Sequence, residues 1–331
     1  MKTFIPGLSR RDLFTIGLVL IEVVIFSIVS ENFLNSSNLR SVLRNATELS
    51  LVSIGMTIVI LMGGIDISVG SALGVVAIIV GWLIQAEIHP IIIGLVAILV
   101  GTTIGFINGS LITFGRIPDI IATLGMSNVL RAAVFGMLGG RWITGLPPVF
   151  SPLVQGQYFG IPASIIVIFI FYLVFWVFLT FLPIGRHIYA TGNNIEAAKL
   201  SGIDVRKTRI IGYMLLGSLV GFSSLLYVGR LGSVEITVGI DLPISAIAAV
   251  VIGGASVFGG RGSIIGTLAG VFFMAFMKNG LLLLGIPSLW ERAVIGFLII
   301  FSVGIDLLIN KRHAISKFLR LKIRQVRVGE A

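Results

Sequence analysis

The segment IPASIIVIFIFYLVFWVFLTFL (161–182) contains no charged side chain over 22 consecutive residues. At 1.5 Å per residue, a helix of this length reaches roughly 33 Å, which matches the hydrocarbon core of a bilayer at about 30 Å. A soluble protein would have to bury such a helix on every side, whereas lipid accepts its apolar surface directly. The segment therefore predicts a transmembrane helix.

The composition of the whole chain agrees with lipid as the solvent. Hydrophobic residues make up 56% and charged residues 11%, against about 25% charged in soluble domains. The absence of cysteine excludes disulfides and thiolate metal sites. His89, His187 and His313 are scattered without ligand spacing and are interpreted as loop or interfacial residues. We predict an all-α, polytopic transmembrane bundle that forms one domain over residues 1–331.

Ten segments have the apolarity of membrane spans, although the second, third and eighth are short and rich in glycine. The predicted spans are 12–30, 47–62, 68–86, 90–112, 118–138, 161–182, 209–229, 243–258, 262–284 and 291–310. The first follows Arg10 and Arg11 but lacks a small-residue cleavage site, so it is interpreted as an uncleaved helix.

The basic residues predict the orientation of the spans. With the N-terminus in the cytoplasm, 17 of the 24 Lys and Arg residues fall on the inner side, as the positive-inside rule requires. Seven of them belong to the tail 311–331, which is interpreted as a juxtamembrane anchor rather than a nucleic-acid site. An even number of spans places both termini in the cytoplasm. The net charge of +10 is explained by this topology.

The longest polar segment, 183–209, is predicted to be a cytoplasmic loop with a short helix at its centre. Asn193 or Asn194 is a suitable N-cap and Gly202 a suitable C′ residue. This helix would project Glu196 and Lys199 from a surface of small residues. Either a solvated loop or a docking element fits these features.

The sequence GGIDISVG (63–70) interrupts the apolar pattern with paired glycines and a carboxylate. Acidic residues between membrane spans are costly and commonly face a cavity or a partner. Asp66 could line a pathway or gate, or it could cap the helix that begins near Ser68 in a tight turn. Both interpretations fit the residues equally.

A related pattern, IGGASVFGGRG (252–262), occupies a comparable place in the second half of the chain. Glycine-broken segments in two corresponding halves indicate a transport site, so we predict two loosely related halves. Polar residues inside other spans are expected mainly to bond between helices. The candidate pathway or gate residues are Gly63, Gly64, Asp66, Ser68, Asn108, Asn128, Gly253 and Gly254.

Several motifs are absent, and their absence narrows the function. The chain has no phosphate-binding loop of the type GxxxxGK[ST], no HExxH and no GxSxG. It also lacks a grouping of histidine and carboxylate residues suited to acid–base catalysis. We therefore expect no enzyme activity, no catalytic or metal site, and no cofactor bound by this chain.

Four segments together resemble one family. They are GGIDISVGSALG (63–74), FINGSLITFGRIPDIIATLGM (106–126), GRHIYATGNNIEAAKLSGIDV (185–205) and IAAVVIGGASVFGGRGSIIGTLAG (247–270). The chain resembles the bacterial ABC importer permeases for ribose, galactose, rhamnose and autoinducer-2, over nearly its whole length. The segment GGRWITGLPP (139–148), together with IGRHIYATGNNIEAAKLSGIDV (184–205), resembles in particular the autoinducer-2 permeases of the LsrC type. Rhamnose permeases carry similar segments.

This resemblance implies a function and partners. It implies a multi-pass permease of the bacterial inner membrane that pairs with a second, similar or identical permease. Two ATP-binding cassette subunits would bind ATP and Mg²⁺, and a periplasmic binding protein would deliver a small polyhydroxy solute such as autoinducer-2, rhamnose or ribose. The coupling element that contacts the ATPase would comprise Gly192, Asn194, Glu196, Ala197, Ala198, Lys199 and Gly202.

Other classes of function make different predictions. An ion-coupled carrier would need an ion gradient instead of ATP, and it usually has more charged residues at the centre of the membrane than this chain has. A passive channel would conduct solute without any energy source. An embedded enzyme would need a nucleophile and a base close together, which the sequence does not indicate.

Overall fold

A computed structural model describes residues 10–287, 290–301 and 304 of the chain. The architecture is helical, as predicted. Its main helices are α1 (Arg10–Val29), α2 (Ser36–Leu61), α3 (Val69–Gln85), α4 (Pro90–Thr113), α5 (Asp119–Leu138), α6 (Ala163–Phe181), α7 (Pro183–Asn193), α8 (Ile195–Leu200), α9 (Val205–Leu231), α10 (Leu242–Ile252) and α11 (Ile264–Leu283).

Seven of the described helices are long and apolar enough to cross a membrane: α1, α2, α4, α5, α6, α9 and α11. Two predicted spans are shorter apolar helices, α3 with 17 residues and α10 with 11. The predicted tenth span, 291–310, lies partly outside the described residues, and the basic tail 311–331 lies entirely outside them. The ten-span count and the cytoplasmic placement of both termini stay predictions.

Two predicted span boundaries differ from the structure by more than four residues. Helix α2 begins at Ser36 instead of residue 47. The Asn35 side chain accepts the Ser37 N–H at 3.1 Å and caps the helix. Its first turns contain too many polar residues to be recognised as a membrane span by hydropathy. Helix α10 ends at Ile252 instead of residue 258. The backbone leaves the helix at Gly253, and Gly254 adopts φ of +89°, a conformation that favours glycine.

Helices α2 and α9 form the centre of the bundle, and α4 packs against α9 along a line of glycines. Gly101 on α4 lies against the Gly217 carbonyl, and Gly105 lies against the Tyr213 carbonyl, so closely that a Cβ would overlap those oxygens. Without a hydrophobic effect between helices in lipid, such backbone approach supplies the packing energy. By contrast, α1 and α6 turn large apolar side chains outward, as lipid-facing helices do.

The helices run between two ends of the bundle, which are named here for reference. The α8 end carries α7, α8, the C-terminus of α2 and the N-terminus of α9. The opposite end carries the N-terminus of α2 and the C-termini of α9 and α11. Between α5 and α6 at the opposite end, a two-stranded antiparallel hairpin pairs β1 (Gln157–Tyr158) with β2 (Ile161–Pro162), a small departure from the all-α expectation.

Candidate functional site

The predicted candidates Asp66, Ser68 and Asn108 form one buried hydrogen-bonded cluster near the α8 end. Asp66 Oδ1 accepts the Ser68 N–H at 2.8 Å and the Ser68 hydroxyl at 2.6 Å. Asn108 Nδ2 donates to Asp66 Oδ2 at 3.1 Å and to Ser68 Oγ at 2.8 Å. The sequence predicted each residue separately, and the structure joins α4 to the turn between α2 and α3 through them.

Of the two interpretations of Asp66, the contacts match the turn-shaping one. The side chain is only 3% exposed, and both carboxylate oxygens accept hydrogen bonds from this chain. Its bond to the Ser68 N–H satisfies a donor just before α3 begins at Val69. In this conformation the carboxylate is buried within the subunit. Contact of Asp66 with a solute stays a prediction.

Gly64 lies beside a second polar group that the sequence analysis did not identify. A Cβ on Gly64 would lie 2.7 Å from both Asp119 Oδ2 and the Tyr213 hydroxyl. Arg209 Nη1 lies 3.9 Å from Asp119 Oδ1, which places a cation at the rim of this group. Because the contacting residues come from α5 and α9, only the tertiary structure brings them to Gly64.

The predicted coupling helix is α8. Asn194 is its N-cap and accepts the Ala197 N–H at 3.0 Å. Gly202, with φ of +80°, follows the C-cap and occupies the predicted C′ position. Ala198 packs into the protein with 3% exposure, whereas Leu200 is 91% exposed. The helix thus buries one small residue and projects the rest of its surface.

Charged residues of α8 pair with each other at the surface. Lys199 Nζ lies 2.8 Å from Glu196 Oε1, and their side chains are 55% and 78% exposed. An exposed pair of this type contributes about 0–1 kcal/mol to stability. The pair therefore contributes little to the fold and remains accessible to a partner.

Helix α7, which precedes α8, was not predicted as a separate helix, and its last residues join the two glycine-rich segments. A Cβ on Gly192 would overlap the Leu61 carbonyl oxygen and lie 2.7 Å from the Gly260 nitrogen. The Gly260 N–H itself donates to the Leu61 carbonyl at 2.8 Å. The end of α2, the segment 253–263 and the approach to α8 therefore meet backbone to backbone. We call this contact the glycine junction, formed by Leu61, Gly63, Gly192, Gly259 and Gly260.

A tyrosine on α7 adds a side-chain bond beside the glycine junction. The Tyr189 hydroxyl donates to the Gly262 carbonyl at 3.0 Å. Burial, together with the negative charge of Asp12, raises the pKa of Tyr189 to about 12. The phenol therefore stays protonated at neutral pH and keeps its donor role.

The predicted residues Gly253 and Gly254 lie between α10, α11 and the start of α1. A Cβ on Gly253 would overlap the Gly266 carbonyl, so α10 and α11 approach closely there. The Arg11 guanidinium donates to the Gly254 carbonyl at 3.4 Å. Ser263 Oγ donates to Asp12 Oδ1 at 2.6 Å and caps α11. These residues bind helix ends together.

Asn128, the remaining predicted candidate, lies apart from the others. It is exposed on the surface of α5, on the same face as Gly125 and Gly136, whose Cβ positions are open. An exposed amide on a candidate membrane span needs a polar partner, since lipid supplies none. The structure therefore separates Asn128 from the cluster of Asp66, Ser68 and Asn108.

A buried ion pair at the opposite end was missed by the sequence analysis. Arg230 Nε lies 2.8 Å from Glu48 Oε1, and the Glu48 side chain is 7% exposed. The polar start of α2 and the basic last turn of α9 were visible in the sequence, but their pairing over 182 positions was not. Glu22 on α1 was also missed; its carboxylate is buried and has no hydrogen-bond partner within the described part of the chain.

Groups of three or more His, Cys, Asp or Glu side chains that could hold a metal ion do not occur among residues 10–287, 290–301 and 304. Apart from Asn128, the predicted pathway or gate candidates belong to hydrogen-bonded or backbone-packed helix breaks, or contact one as Asn108 does. Combined with several long apolar helices and a projecting short helix, they define a polytopic membrane protein of the transport class.

The chain belongs to the family of branched-chain amino acid transport system permease components, whose family model matches residues 38–303. It is thus a permease component, a transport subunit and not an enzyme. The ribose import permease RbsC of Escherichia coli K12 is 36% identical over 299 residues, covering 89% of this chain and 92% of that protein. RbsC of Bacillus subtilis 168 is 38% identical over 288 residues, covering 86% and 89%.

An autoinducer-2 import permease is also similar. LsrC of Photorhabdus laumondii is 30% identical over 299 residues, covering 90% of each chain. The autoinducer-2 resemblance in the sequence motifs is therefore matched at a lower overall identity than the resemblance to these ribose permeases. No solved structure matches the chain.

Proposed function

We propose that this chain is the membrane-spanning subunit of an ATP-driven importer in the bacterial inner membrane and that it conducts a small, neutral, polyhydroxy solute. The observation that carries the proposal is α8, a capped helix with an exposed Leu200 and exposed charges, joined to the bundle through the glycine junction. A short helix projecting beyond the spans is suited to insert into a groove on a cytoplasmic partner.

The glycine junction supplies the mechanical argument. Gly192, which precedes α8, contacts both Leu61 and Gly260 through backbone atoms. Because no flexible side chain lies between them, a displacement of α8 would move these backbone segments directly. Packed interfaces change between discrete arrangements instead of deforming gradually. Nucleotide-driven movement of two ATPase subunits would thus reach the end of α2 and the segment 253–263 together. ATP and Mg²⁺ would bind to those subunits.

The exposed face of α5 supports pairing with a second permease, identical or similar. Asn128 lies there between small residues that allow close approach of another helix, Gly125 and Gly136. A second subunit would supply the polar partner that lipid does not. Asn128 would then line a pathway between two subunits, while Asp66 and Asn108 would hold the helix break behind it. A periplasmic binding protein would deliver the solute from the opposite end.

For the solute, the two relatives at 36% and 38% identity favour a pentose such as ribose. Autoinducer-2 is favoured by the segments 139–148 and 184–205 and by the relative at 30% identity. Both solutes are small and rich in hydroxyl groups, so one pathway of scattered Ser, Thr and Asn side chains suits either. Rhamnose is a third solute of the same chemistry.

The test is uptake into proteoliposomes that contain this chain with its co-purified importer subunits and the binding protein. We expect uptake of labelled ribose or autoinducer-2 only when ATP is present on the side of the membrane that carries α8. Ionophores are expected not to reduce this uptake. Competition between the two solutes identifies the substrate. Uptake that persists without ATP and stops with an ionophore would contradict the proposal and establish an ion-coupled carrier.

The role of α8 has its own test. Replacing residues 196–200 with a Gly/Ser stretch is expected to abolish uptake while the ATPase subunits still hydrolyse ATP, because the helix and its exposed Leu200 are lost. Unchanged transport by this variant would contradict the assignment of α8 as the coupling element.

A further inference from the structure

A cavity of about 450 Å³, lined by both apolar and polar side chains, opens within the single subunit at the opposite end of the bundle, far from the glycine junction. It lies between the N-terminal half of α2, the last turns of α9, the C-terminal half of α11 and the segment 235–242. The volume falls in the range of small-molecule sites, about 300–1,000 Å³. None of the candidates predicted from the sequence lines it.

One wall of the cavity is a fixed polar surface. Arg230 donates from Nε to Glu48 Oε1 at 2.8 Å and from Nη1 to Asn45 Oδ1 at 3.1 Å. The Arg230 guanidinium also lies 6.0 Å from the centre of the Tyr227 ring. Since Arg230 is held at several points, this wall presents carboxylate, amide and phenol groups in set positions.

The facing wall is also built from ion pairs between different elements. Lys278 on α11 lies 3.1 Å from Glu291 in this wall. Asp241, at the start of α10, lies 3.0 Å from Nε of Arg292, whose side chain is outside the cavity lining. Each of these cations already has a carboxylate partner. The wall offers hydroxyl-binding groups, but its positive charges are compensated.

One carboxylate is left over above the cavity. Glu235 accepts the hydroxyl of its neighbour Thr237 at 3.2 Å and has no basic side chain as a described ion-pair partner. The Ser245 hydroxyl also lines the cavity. The cavity therefore has compensated charges, one surplus carboxylate and several neutral hydrogen-bonding groups.

This chemistry selects among ligand classes. An anion is disfavoured because the cations are paired and a carboxylate is in excess. A metal ion lacks a group of three suitable side chains among the described residues. An acyl chain offers no hydrogen bond to the Glu235 carboxylate or the Asn45 amide, so covering these groups would carry a cost for each. A neutral polyhydroxy molecule fits, because each hydroxyl both donates to carboxylates and accepts from amide or ammonium groups.

We propose that this cavity is a binding site for the transported polyhydroxy solute within one permease subunit, on the side where the solute enters. The inference rests on the proposed function and adds a second solute site to it. The site holds the solute after the binding protein has released it and before the solute reaches the pathway between subunits. Its affinity is modest, since tight binding would slow onward movement.

The absence of native cysteine allows a direct test with the full-length chain purified in nanodiscs. Ser245→Cys places a single thiol in the cavity wall, and Ser41→Cys places one on the exposed surface of α2 at the same end. N-ethylmaleimide labelling is timed with ribose, autoinducer-2 or ribose 5-phosphate present. We expect ribose or autoinducer-2 to slow labelling at position 245 several-fold and to leave position 41 unchanged, with no protection by the phosphate.

A second pair of variants tests the surplus carboxylate. Glu235→Gln in the Ser245→Cys background is expected to raise the solute concentration for half-protection about tenfold, the effect of losing one hydrogen bond to a charged group. Glu31→Gln, an exposed site at the same end, is the matched control and is expected to change nothing.

Two outcomes at position 245 would overturn the inference: equal labelling with and without both neutral solutes, or protection by ribose 5-phosphate alone. A third outcome is measured with Asn45→Cys, and it is protection of position 45 only when the binding protein is added. The last would identify the cavity as a protein-docking site. If importer uptake of a polyhydroxy solute continues in the same preparation, only the additional site is refuted. If no such solute is transported, the proposed function falls with it.

Discussion

The substitution Gly192→Ala tests the glycine junction most directly. The added Cβ would overlap the Leu61 carbonyl oxygen and would lie 2.7 Å from the Gly260 nitrogen. These two atoms are hydrogen-bonded to each other at 2.8 Å. Because both belong to the backbone, neither can rotate away as a side chain would. One methyl group must therefore separate α7 from the end of α2 or break their shared contact.

The expected cost follows from those contacts. Overpacking a close contact costs about 1–3 kcal/mol, and losing one backbone hydrogen bond adds about 0.5–1.5 kcal/mol. For a chain of this size we expect about 2–4 kcal/mol of destabilisation, which lowers Tm by roughly 4–8 °C at about 2 °C per kcal/mol. In the assembled importer, the same variant is expected to lower uptake per ATP hydrolysed, since α8 loses its rigid connection.

The measurement is thermal unfolding of the detergent-purified chain, followed by intrinsic tryptophan fluorescence. Gly17→Ala is the matched control, because Gly17 on α1 has no atom within 4 Å of its Cβ position. That variant is expected to keep or slightly raise Tm, since alanine favours a helix. If Gly192→Ala and Gly17→Ala both melt within 1 °C of the unmodified chain, the close backbone contact at Gly192 is wrong.

Three other substitutions test separate parts of the structure by the same melting assay. Arg230→Met leaves Glu48 buried without its cation and should lower the free energy of unfolding by about 3–5 kcal/mol. Recovery of stability by Glu48→Gln in that background would identify the unpaired charge as the cause. A loss below about 1 kcal/mol would contradict the ion pair. Glu196→Gln should leave Tm unchanged, because its partner Lys199 is exposed, yet lower ATP-driven uptake; a large fall in Tm would show a structural role instead. Asn194→Ala should reduce transport by removing the α8 cap, worth about 1 kcal/mol, whereas Asn194→Asp should retain it; equal transport by both would contradict the capping role.

The spans were predictable where hydropathy alone decides the structure. The segment 161–182 became α6, and 90–112 became α4, within two residues at each end. Hydropathy failed at the start of α2, where a polar segment is helical behind the Asn35 cap. It also failed beyond Ile252, where the residues stay apolar but the backbone breaks at glycine.

The sequence identified the residues of the candidate site but not the contacts between them. The carboxylate in GGIDISVG and the amide in FINGS were conspicuous as polar groups among apolar neighbours. Their bond joins positions 66 and 108, and no local pattern encodes a pairing across 42 positions. The short helix α8 was predicted more completely, because its N-cap and C′ glycine are local signals.

Sequence motifs and whole-chain similarity favour different solutes. The segments 139–148 and 184–205 favoured the autoinducer-2 permeases, whereas the relatives named for ribose have the higher identity over most of the chain. Segments that shape loops and turns reflect the common architecture of the family. They therefore identify the transporter class more reliably than the molecule carried.

The glycine packing between α4 and α9 has a consequence for how the protein is made. About 90 residues separate the end of α4 from the start of α9. At a synthesis rate of about 5–20 residues per second, α4 enters the membrane roughly 5–20 seconds before its partner exists. During that interval the face carrying Gly101 and Gly105 is open to any passing helix. Correct assembly therefore depends on keeping this face unoccupied until α9 has been inserted, so biogenesis is most vulnerable in the middle of translation.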